Sequence, residues 1–184
     1  MRSIRHPRKW FLLGALLAGA AVYVAASPAA PASALPTVPY VDLKRYLGRW
    51  YEIAPYPNRF EKPGIRDVTA TYTLRPDGRI SVVNACYHPD GRREAASGWA
   101  KVSDTGTNAK LRVTFFWPFF GNYWVIDLAP DYEYAVIGEP SRKYLWILSR
   151  TPEMSEESYR AITQRLTALG YDPSRLIRVE HTAR

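Results

Sequence analysis

The sequence predicts an all-β protein, an eight-stranded antiparallel up-and-down barrel with one C-terminal amphipathic α-helix packed outside it. Short segments rich in β-branched and aromatic residues recur about every 8–12 residues, with turn residues between them. Only one segment, near the C-terminus, has clear helical periodicity. Aromatic residues make up 14% of the 184 residues, with 6 Trp and 13 Tyr, which suits a wide interior lined by rings.

Eight segments are predicted as strands, because turn-forming Gly, Pro, Asp and Asn residues separate them. Their bounds are 49–55, 68–74, 80–87, 94–102, 110–116, 123–128, 134–138 and 144–149. The stretch 118–121 is predicted to break the chain between the fifth and sixth strands. Sequential strands joined by short turns favour an antiparallel barrel or sandwich over βαβ units. Closure of eight such strands leaves room for one small ligand.

The one predicted helix begins after Ser155, a plausible N-cap, and ends near Gly170, with Pro173 preventing its continuation. Its acidic first turn suits the helix dipole. One face carries an apolar stripe, consistent with packing against the outside of a barrel: Tyr159, Ile162, Leu166 and Leu169. A short helical turn is also predicted at 42–47, and a final short strand at 176–180.

Residues 1–34 are predicted to be a signal peptide or signal anchor, 35–40 a Pro-rich linker, and 41–182 the barrel domain. Four cations and no acid precede the apolar run 10–26, and Ala32-Ser33-Ala34 is a reasonable cleavage site. The run is at the lower limit for spanning a bilayer, so an uncleaved anchor stays open. Export to the periplasm or the outer membrane is expected.

Cysteine and charge exclude several classes of protein. Position 20 is Ala where a bacterial lipoprotein signal has Cys, and Cys86 is too distant to carry the lipid, so no lipid anchor is expected there. One Cys permits no intramolecular disulfide and no thiolate zinc cluster, and neither a metal nor a cofactor is predicted. The formal charge of +8 falls to +4 without residues 1–34, which does not favour a nucleic-acid partner.

Three motifs resemble the signatures of the lipocalin family. Gly48-Arg49-Trp50 opens the first strand, Asp131-Tyr132 follows the sixth, and Arg150 ends the eighth. The longer runs 46–54 and 144–152 resemble bacterial outer-membrane lipocalins and their animal relative apolipoprotein D, and the resemblance covers about residues 38–182. These signature residues are expected to be structural: Trp50 plugs the closed end, Arg150 lies across its ring, and Gly48 permits a close approach of the chain.

Cavity residues are predicted partly from the alternation of side chains along strands. If Trp50 points inward, so do Glu52 and Ala54. In the third strand, alternation leaves open whether Val82, Asn84 and Cys86 or their neighbours face inward. The resemblance implies a pocket lined by Tyr72, Asn84, Phe115 and Trp146, and alternation adds Val113 and Leu148. The alternative is that these residues simply fill a barrel that has no cavity.

The resemblance implies non-covalent binding, storage or transport of a fatty acid or lysophospholipid in the cell envelope. Arg59, Lys62 and Arg66 in the first loop are candidates for a head-group contact, with a solvated loop as the alternative. Phe60 and the apolar turn 117–120 are unusual. That turn could be a lid, a dimer contact, a tip touching a membrane surface, or a closure of the mouth.

Other functions are less favoured. No His-centred triad is indicated, so no catalytic residue is predicted and the protein is not expected to be an enzyme. A barrel-cysteine isomerase using Cys86 is a weak alternative, since a buried free Cys is usually a small apolar group. An envelope structural or interaction protein with a filled barrel is the stronger alternative. A homodimer is left open.

Overall fold

The computed structural model describes residues 34–59 and 63–182, which form a closed antiparallel barrel. Each strand pairs with the next one in the chain, and the eighth pairs with the first. This confirms the predicted eight-stranded up-and-down barrel. The strands are β1 (Gly48–Pro55), β2 (Arg66–Leu74), β3 (Ile80–Tyr87), β4 (Arg93–Val102), β5 (Lys110–Phe116), β6 (Phe119–Leu128), β7 (Tyr134–Gly138) and β8 (Leu145–Ser149).

The largest difference from the predicted strand bounds is at the start of β6, which begins at Phe119 rather than at Tyr123. Phe116 pairs with Phe119, so Trp117 and Pro118 alone form the turn. Pro118 lacks an N–H, but at the tip of a turn none is needed for the ladder. The prediction that 118–121 breaks the chain is therefore wrong beyond Pro118. The predicted bounds of β3, β5 and β7 are confirmed.

Two helices flank the barrel. Helix α1 (Leu43–Tyr46) is capped by Asp42, whose carboxylate accepts the Lys44 N–H at 2.9 Å. Helix α2 (Glu156–Ala168) is capped by Ser155, whose hydroxyl accepts the Ser158 N–H at 3.1 Å. The chain leaves α2 at Gly170, where φ is +80° and glycine has no Cβ to strain. A short 3-10 helix, Pro173–Arg175, follows.

The apolar residues form two separate clusters, one inside the barrel and one outside it. The inner cluster is built around Trp50, Tyr72 and Ile137. The outer cluster joins Ile162 and Leu166 of α2 to the outward side chains of the barrel wall, Ile126, Val136 and Ile147. The predicted packing of the helix against the outside of the barrel is confirmed.

The C-terminal tail, residues 176–182, joins β1 to β2 where their direct pairing has ended. The β1–β2 register runs only as far as Tyr51 opposite Thr69. Beyond it, the Ile177 N–H donates to the Pro55 carbonyl and the Val179 N–H to the Ile53 carbonyl, both at 3.0 Å. On the other side, the Asp67 N–H donates to the Glu180 carbonyl at 2.9 Å. The tail is thus extended and hydrogen-bonded, but it is not a regular strand as predicted.

The segment 35–40 packs on the barrel and is not a free linker. Leu35 is buried in the outer cluster, and the Val38 N–H donates to the Val125 carbonyl at 3.0 Å. The predicted signal segment 1–34 lies almost wholly outside the described residues. No helix within 34–59 and 63–182 is long and apolar enough to cross a membrane.

Candidate ligand-binding site

The barrel has two unlike ends, which we call the floor and the mouth. The floor is the end where β1 begins, beside α1 and the β6–β7 turn. The mouth is the opposite end, where the β1–β2, β3–β4, β5–β6 and β7–β8 connections lie. The signature motifs belong to the floor, and the space for a ligand is toward the mouth.

Trp50 and Arg150 close the floor. The Trp50 side chain is fully buried, and its indole N–H donates to the Tyr46 carbonyl at 2.8 Å. The Arg150 guanidinium lies 3.8 Å from the centre of the Trp50 ring system, within cation–π range. It also donates to the carbonyl oxygens of Arg45 at 2.6 Å and Arg49 at 2.8 Å. Arg150 therefore ties the start of β1 to the end of β8.

The other signature residues support the same corner. Gly48 has φ +95°, and a Cβ there would lie 3.4 Å from an Arg150 guanidinium nitrogen. The Tyr132 hydroxyl accepts the Asp42 N–H at 2.7 Å, and the Asp131 carboxylate accepts the Glu133 N–H at 3.1 Å. Each of these contacts is within the chain, which fits the structural role expected of them.

Three tyrosines form a hydrogen-bonded cluster just above the floor. The Tyr123 hydroxyl shares one hydrogen bond with the Tyr46 hydroxyl at 2.6 Å and another with the Tyr72 hydroxyl at 3.0 Å. Burial raises the pKa of Tyr72 to about 12, and the nearby Glu52 carboxylate adds to that shift. Burial also raises the pKa values of Tyr46 and Tyr123. The cluster is therefore neutral over the whole physiological pH range.

Around the cluster, the inner wall is apolar, and it contains most of the predicted cavity residues. Five of them belong to the inner cluster or pack on it: Tyr72, Val113, Phe115, Trp146 and Leu148. The Phe115 ring lies against Gly98 of β4. A Cβ at Gly98 would be only 2.8 Å from that ring, so the close contact requires glycine. The wall next to α1 leaves a cavity of only about 10 Å³, the size of a single water molecule. The floor half of the barrel is thus filled by its own side chains.

The mouth half is open. Asn84 is on the same face of β3 as Ile80 and Val82, which are buried inside the barrel, yet Asn84 is exposed to solvent. Its partner on β4, Ala96, is exposed as well. Because the outward neighbour Ala95 is also exposed, water reaches both faces of the wall at this height. The structure thereby settles which set of β3 residues faces inward.

Glu52 and Ala54, predicted together as cavity residues, are on opposite sides of the wall. Glu52 is buried opposite the inward residue Leu148. Ala54 pairs with Ile147 and packs in the outer cluster, so its prediction as a cavity residue is wrong. The register between β1 and β8 shifts between Glu52 and Ala54. The extra residue, Ile53, reverses the alternation beyond it.

The cations predicted to contact a head group have different environments. Arg66 pairs with the Asp67 carboxylate at 3.2 Å, and Arg59 is exposed; Lys62 and Phe60 lie outside the described residues. No group of three potential metal ligands occurs in the part of the chain that the structure describes. Sequence reasoning missed the tyrosine cluster and the small residues of β4. The run Ala95-Ala96-Ser97-Gly98 was the signal for the latter, since small side chains leave space.

The comparisons with known proteins give the family. A model of the lipocalin-like domain matches residues 41–181. Temperature-induced lipocalin-1 of Arabidopsis thaliana is 46% identical over 144 residues, covering 74% of this chain and 77% of that protein. Outer membrane lipoprotein Blc of Escherichia coli K12 is 44% identical over 169 residues, covering 91% and 95%.

Two further matches agree with these. Apolipoprotein D of Mus musculus is 38% identical over 141 residues, covering 71% of this chain and 72% of that protein. The solved structure of insecticyanin from the tobacco hornworm, Manduca sexta, superposes with a TM-score of 0.63 at 25% identity, covering 80% of this chain and 85% of that one. With the Trp50–Arg150 floor and the closed barrel, these matches show that the chain belongs to the lipocalin family.

Proposed function

We propose that this lipocalin binds a lipid-like ligand, a fatty acid or a lysophospholipid, non-covalently in the mouth half of its barrel. The observation that carries the proposal is the contrast along β3 and β4. Inward positions near the floor are buried, whereas Asn84 and Ala96 near the mouth are inward and exposed. A cup with an apolar lower wall and a few polar groups is the usual construction of a small-molecule site.

The acyl chain of such a ligand would lie against Phe115, Trp146 and Val113. Each methylene removed from water contributes about 0.8 kcal/mol. A long chain therefore supplies micromolar binding or better after the ordering costs of association. The floor limits the depth of entry, because its cavity of about 10 Å³ cannot admit an acyl chain.

The head group would stay at the mouth, near Asn84 and the loop cations. Asn84 carries both a hydrogen-bond donor and an acceptor, so it can orient a carboxylate or an ester. Arg59 belongs to the β1–β2 connection and Arg66 begins β2, so both are on the same rim. This assignment agrees with an anionic head group.

Binding without catalysis is the role proposed for the barrel. Cys86 is on the inward face of β3, opposite Glu94 and close to the mouth. The Glu94 carboxylate accepts a hydrogen bond from His88 at 2.7 Å, and a cysteine outside a disulfide is most often a small apolar group. Cys86→Ser is expected to leave ligand affinity unchanged.

We place this function in the cell envelope. The sequence carries a signal-like segment at 1–34, and a relative is an outer membrane lipoprotein by name. Because position 20 is Ala, attachment through a lipid at that site is not expected. Metabolic labelling with fatty acid would detect such a lipid, and its presence would refute the expected lack of an anchor. Recovery of the protein outside the envelope fraction would refute the placement itself.

The test uses two neighbouring positions on opposite faces of β4. Ala96→Trp puts a large ring inside the mouth, whereas Ala95→Trp puts the same ring outside, since Ala96 pairs with inward Asn84 and Ala95 with outward Ala85. Displacement of a fluorescent fatty acid is measured for both full-length variants, together with native mass spectrometry of the lipid that co-purifies. Affinity should fall at least about tenfold for Ala96→Trp alone.

Two results would refute the proposal. One is equal affinity in the two variants, which would place the ligand outside the barrel. The other is an unmodified protein with no co-purifying lipid and no displacement of the probe, which would favour the filled-barrel envelope protein instead.

A further inference from the structure

The most exposed apolar residues of the described chain are together at one turn. Phe116, Trp117 and Phe119, which we call the aromatic tip, are 80%, 77% and 78% exposed. Phe116 ends β5, Trp117 is in the turn and Phe119 begins β6, all on the rim of the mouth. Side chains this exposed add little to the packing of the barrel, so the fold does not explain three large apolar residues here. Exposed apolar groups clustered in this way mark interaction sites.

Two cations lie on the outer wall below the aromatic tip, toward the floor ends of β4 and β5. The Lys101 ammonium is 5.3 Å and the Arg112 guanidinium 5.7 Å from the centre of the Phe120 ring. Lys101 and Arg112 are opposite each other in the β4–β5 ladder. Among the described residues, neither is within ion-pair distance of a carboxylate. We call these two residues the cationic pair.

The carboxylates of the strands and turns around this face bind other groups. Strands β4 to β6 contain two carboxylates, Glu94 and Asp127. Glu94 accepts from His88 at 2.7 Å on the mouth-side β3–β4 turn, and Asp127 accepts from Arg165 of α2 at 2.8 Å, toward the opposite end of β6. Asp104, in the β4–β5 turn three residues from Lys101, accepts the Thr107 hydroxyl at 2.8 Å. The outer face below the aromatic tip is therefore positive, and its nearest carboxylates are already hydrogen-bonded to other groups.

We propose that the aromatic tip and the cationic pair dock the protein on an anionic lipid surface. Aromatic side chains concentrate at the interface between lipid and water. Cations placed just outside that interface attract anionic lipids, each by about 1 kcal/mol, or about fivefold in affinity. Phe120 lies between the two groups in the hairpin. One contact therefore inserts the tip and brings the pair to the level of the phosphates.

A second copy of the chain fits this face less well. In a twofold contact each subunit presents the same patch to the other. Two aromatic tips meeting in that way would bring two cationic pairs together, and like charges repel. A lipid surface offers instead the opposite charge and an apolar interior.

Docking of this kind would hold the mouth against the bilayer. The tip is on the same rim as Asn84 and Ala96, so a lipid leaving the surface would have a short path into the cup. This consequence rests on the proposed function. The docking itself rests only on the tip and the pair, and it is tested without any ligand in the barrel.

The experiment places a polarity-sensitive fluorophore at one end of the full-length chain at a time. In a Cys86→Ser background, Trp117→Cys labels the aromatic tip, and Leu74→Cys labels the exposed β2–β3 turn at the floor. Each protein is mixed with vesicles of phosphatidylcholine alone, or of phosphatidylcholine and phosphatidylglycerol in equal parts. A nitroxide-labelled lipid in the same vesicles then reports contact by quenching.

We expect the tip label to shift to the blue and to be quenched on the anionic vesicles, with the floor label unchanged. Reversing the cationic pair with Lys101→Glu and Arg112→Glu should weaken the response by well over tenfold. The matched control reverses two exposed cations elsewhere, Lys44→Glu and Arg160→Glu, and should have little effect. Circular dichroism confirms that each variant is folded.

Several outcomes would overturn the proposal. An unchanged tip label does so directly. Equal responses of both labels would show adsorption through another part of the chain. A shift without vesicles that grows with protein concentration would assign the tip to a second copy. Fatty-acid displacement in the absence of vesicles tests the barrel separately, so either proposal can fail alone.

Discussion

The floor and the mouth of this barrel are built from the same strands but packed in opposite ways. On β3, Ile80 and Val82 are buried near the floor, whereas Asn84, two residues farther on, is exposed. At the floor, Trp50, Arg150 and the tyrosine cluster bond to one another and to the backbone. At the mouth, large apolar side chains face water. The barrel thus separates what holds it together from what it presents to a ligand.

The largest effect is expected from removing the Trp50 ring, which fills the floor. Trp50→Ala deletes a fully buried ring and the partner of Arg150. We expect the free energy of unfolding to fall by about 3–5 kcal/mol, as for other large-to-small core substitutions. Urea unfolding measures it. Trp117→Ala is the matched control at the mouth, and it should change stability by no more than about 0.5 kcal/mol. Similar losses at both positions would contradict the division.

Alkaline pH tests the tyrosine cluster. The Tyr72 pKa is about 12 in the fold against an ordinary value of 10.0. Above pH 10 the unfolded chain loses this proton first, so stability should fall as pH rises toward 12, by about 3 kcal/mol for Tyr72 alone. Tyrosinate absorbance follows the deprotonation, and circular dichroism follows the unfolding. Tyr72→Phe should flatten the fall. A flat stability profile in the unmodified protein between these pH values would show that the cluster is open to water.

The smallest effect on stability is expected at the mouth. Asn84→Asp should change the free energy of unfolding by no more than about 0.5 kcal/mol, because the side chain is exposed. It should still weaken fatty-acid binding several-fold, since a carboxylate repels a like charge. A fatty alcohol of equal length serves as the uncharged comparison and should bind as before. Equal losses of affinity for both ligands would show that the head group does not lie at Asn84.

Many of the strand bounds and the central contact of the floor could be predicted from the sequence. Strands β3, β5 and β7 have the predicted bounds, because turn residues border segments with strong strand composition. Trp50 and Arg150 were identified through family motifs, and their contact at 3.8 Å agrees with the expected stacking. Short-range patterns carry this information, since each turn and each alternation is local.

The errors lie where a local pattern meets a distant partner. Ala54 was assigned to the cavity because alternation cannot register an inserted residue, and the bulge at Ile53 is visible only when β8 is placed beside β1. Leu35 was assigned to a linker because proline-rich composition does not show that it packs in the outer cluster. The openness of the mouth likewise depends on small residues facing one another across strands, as with Asn84 and Ala96.

The tail closes a gap that the eight strands leave in the barrel wall. Residues 177–180 supply the backbone hydrogen bonds that join β1 to β2 near the mouth. Thr182 adds a hydroxyl bond of 2.9 Å and a backbone N–H bond of 2.7 Å to the Asp67 carboxylate. Without these bonds, the backbone N–H and carbonyl groups of β1 and β2 near the mouth would form two open strand edges inside a nominally closed barrel. The tail therefore protects the fold against pairing with strands of other molecules, a role separate from ligand binding.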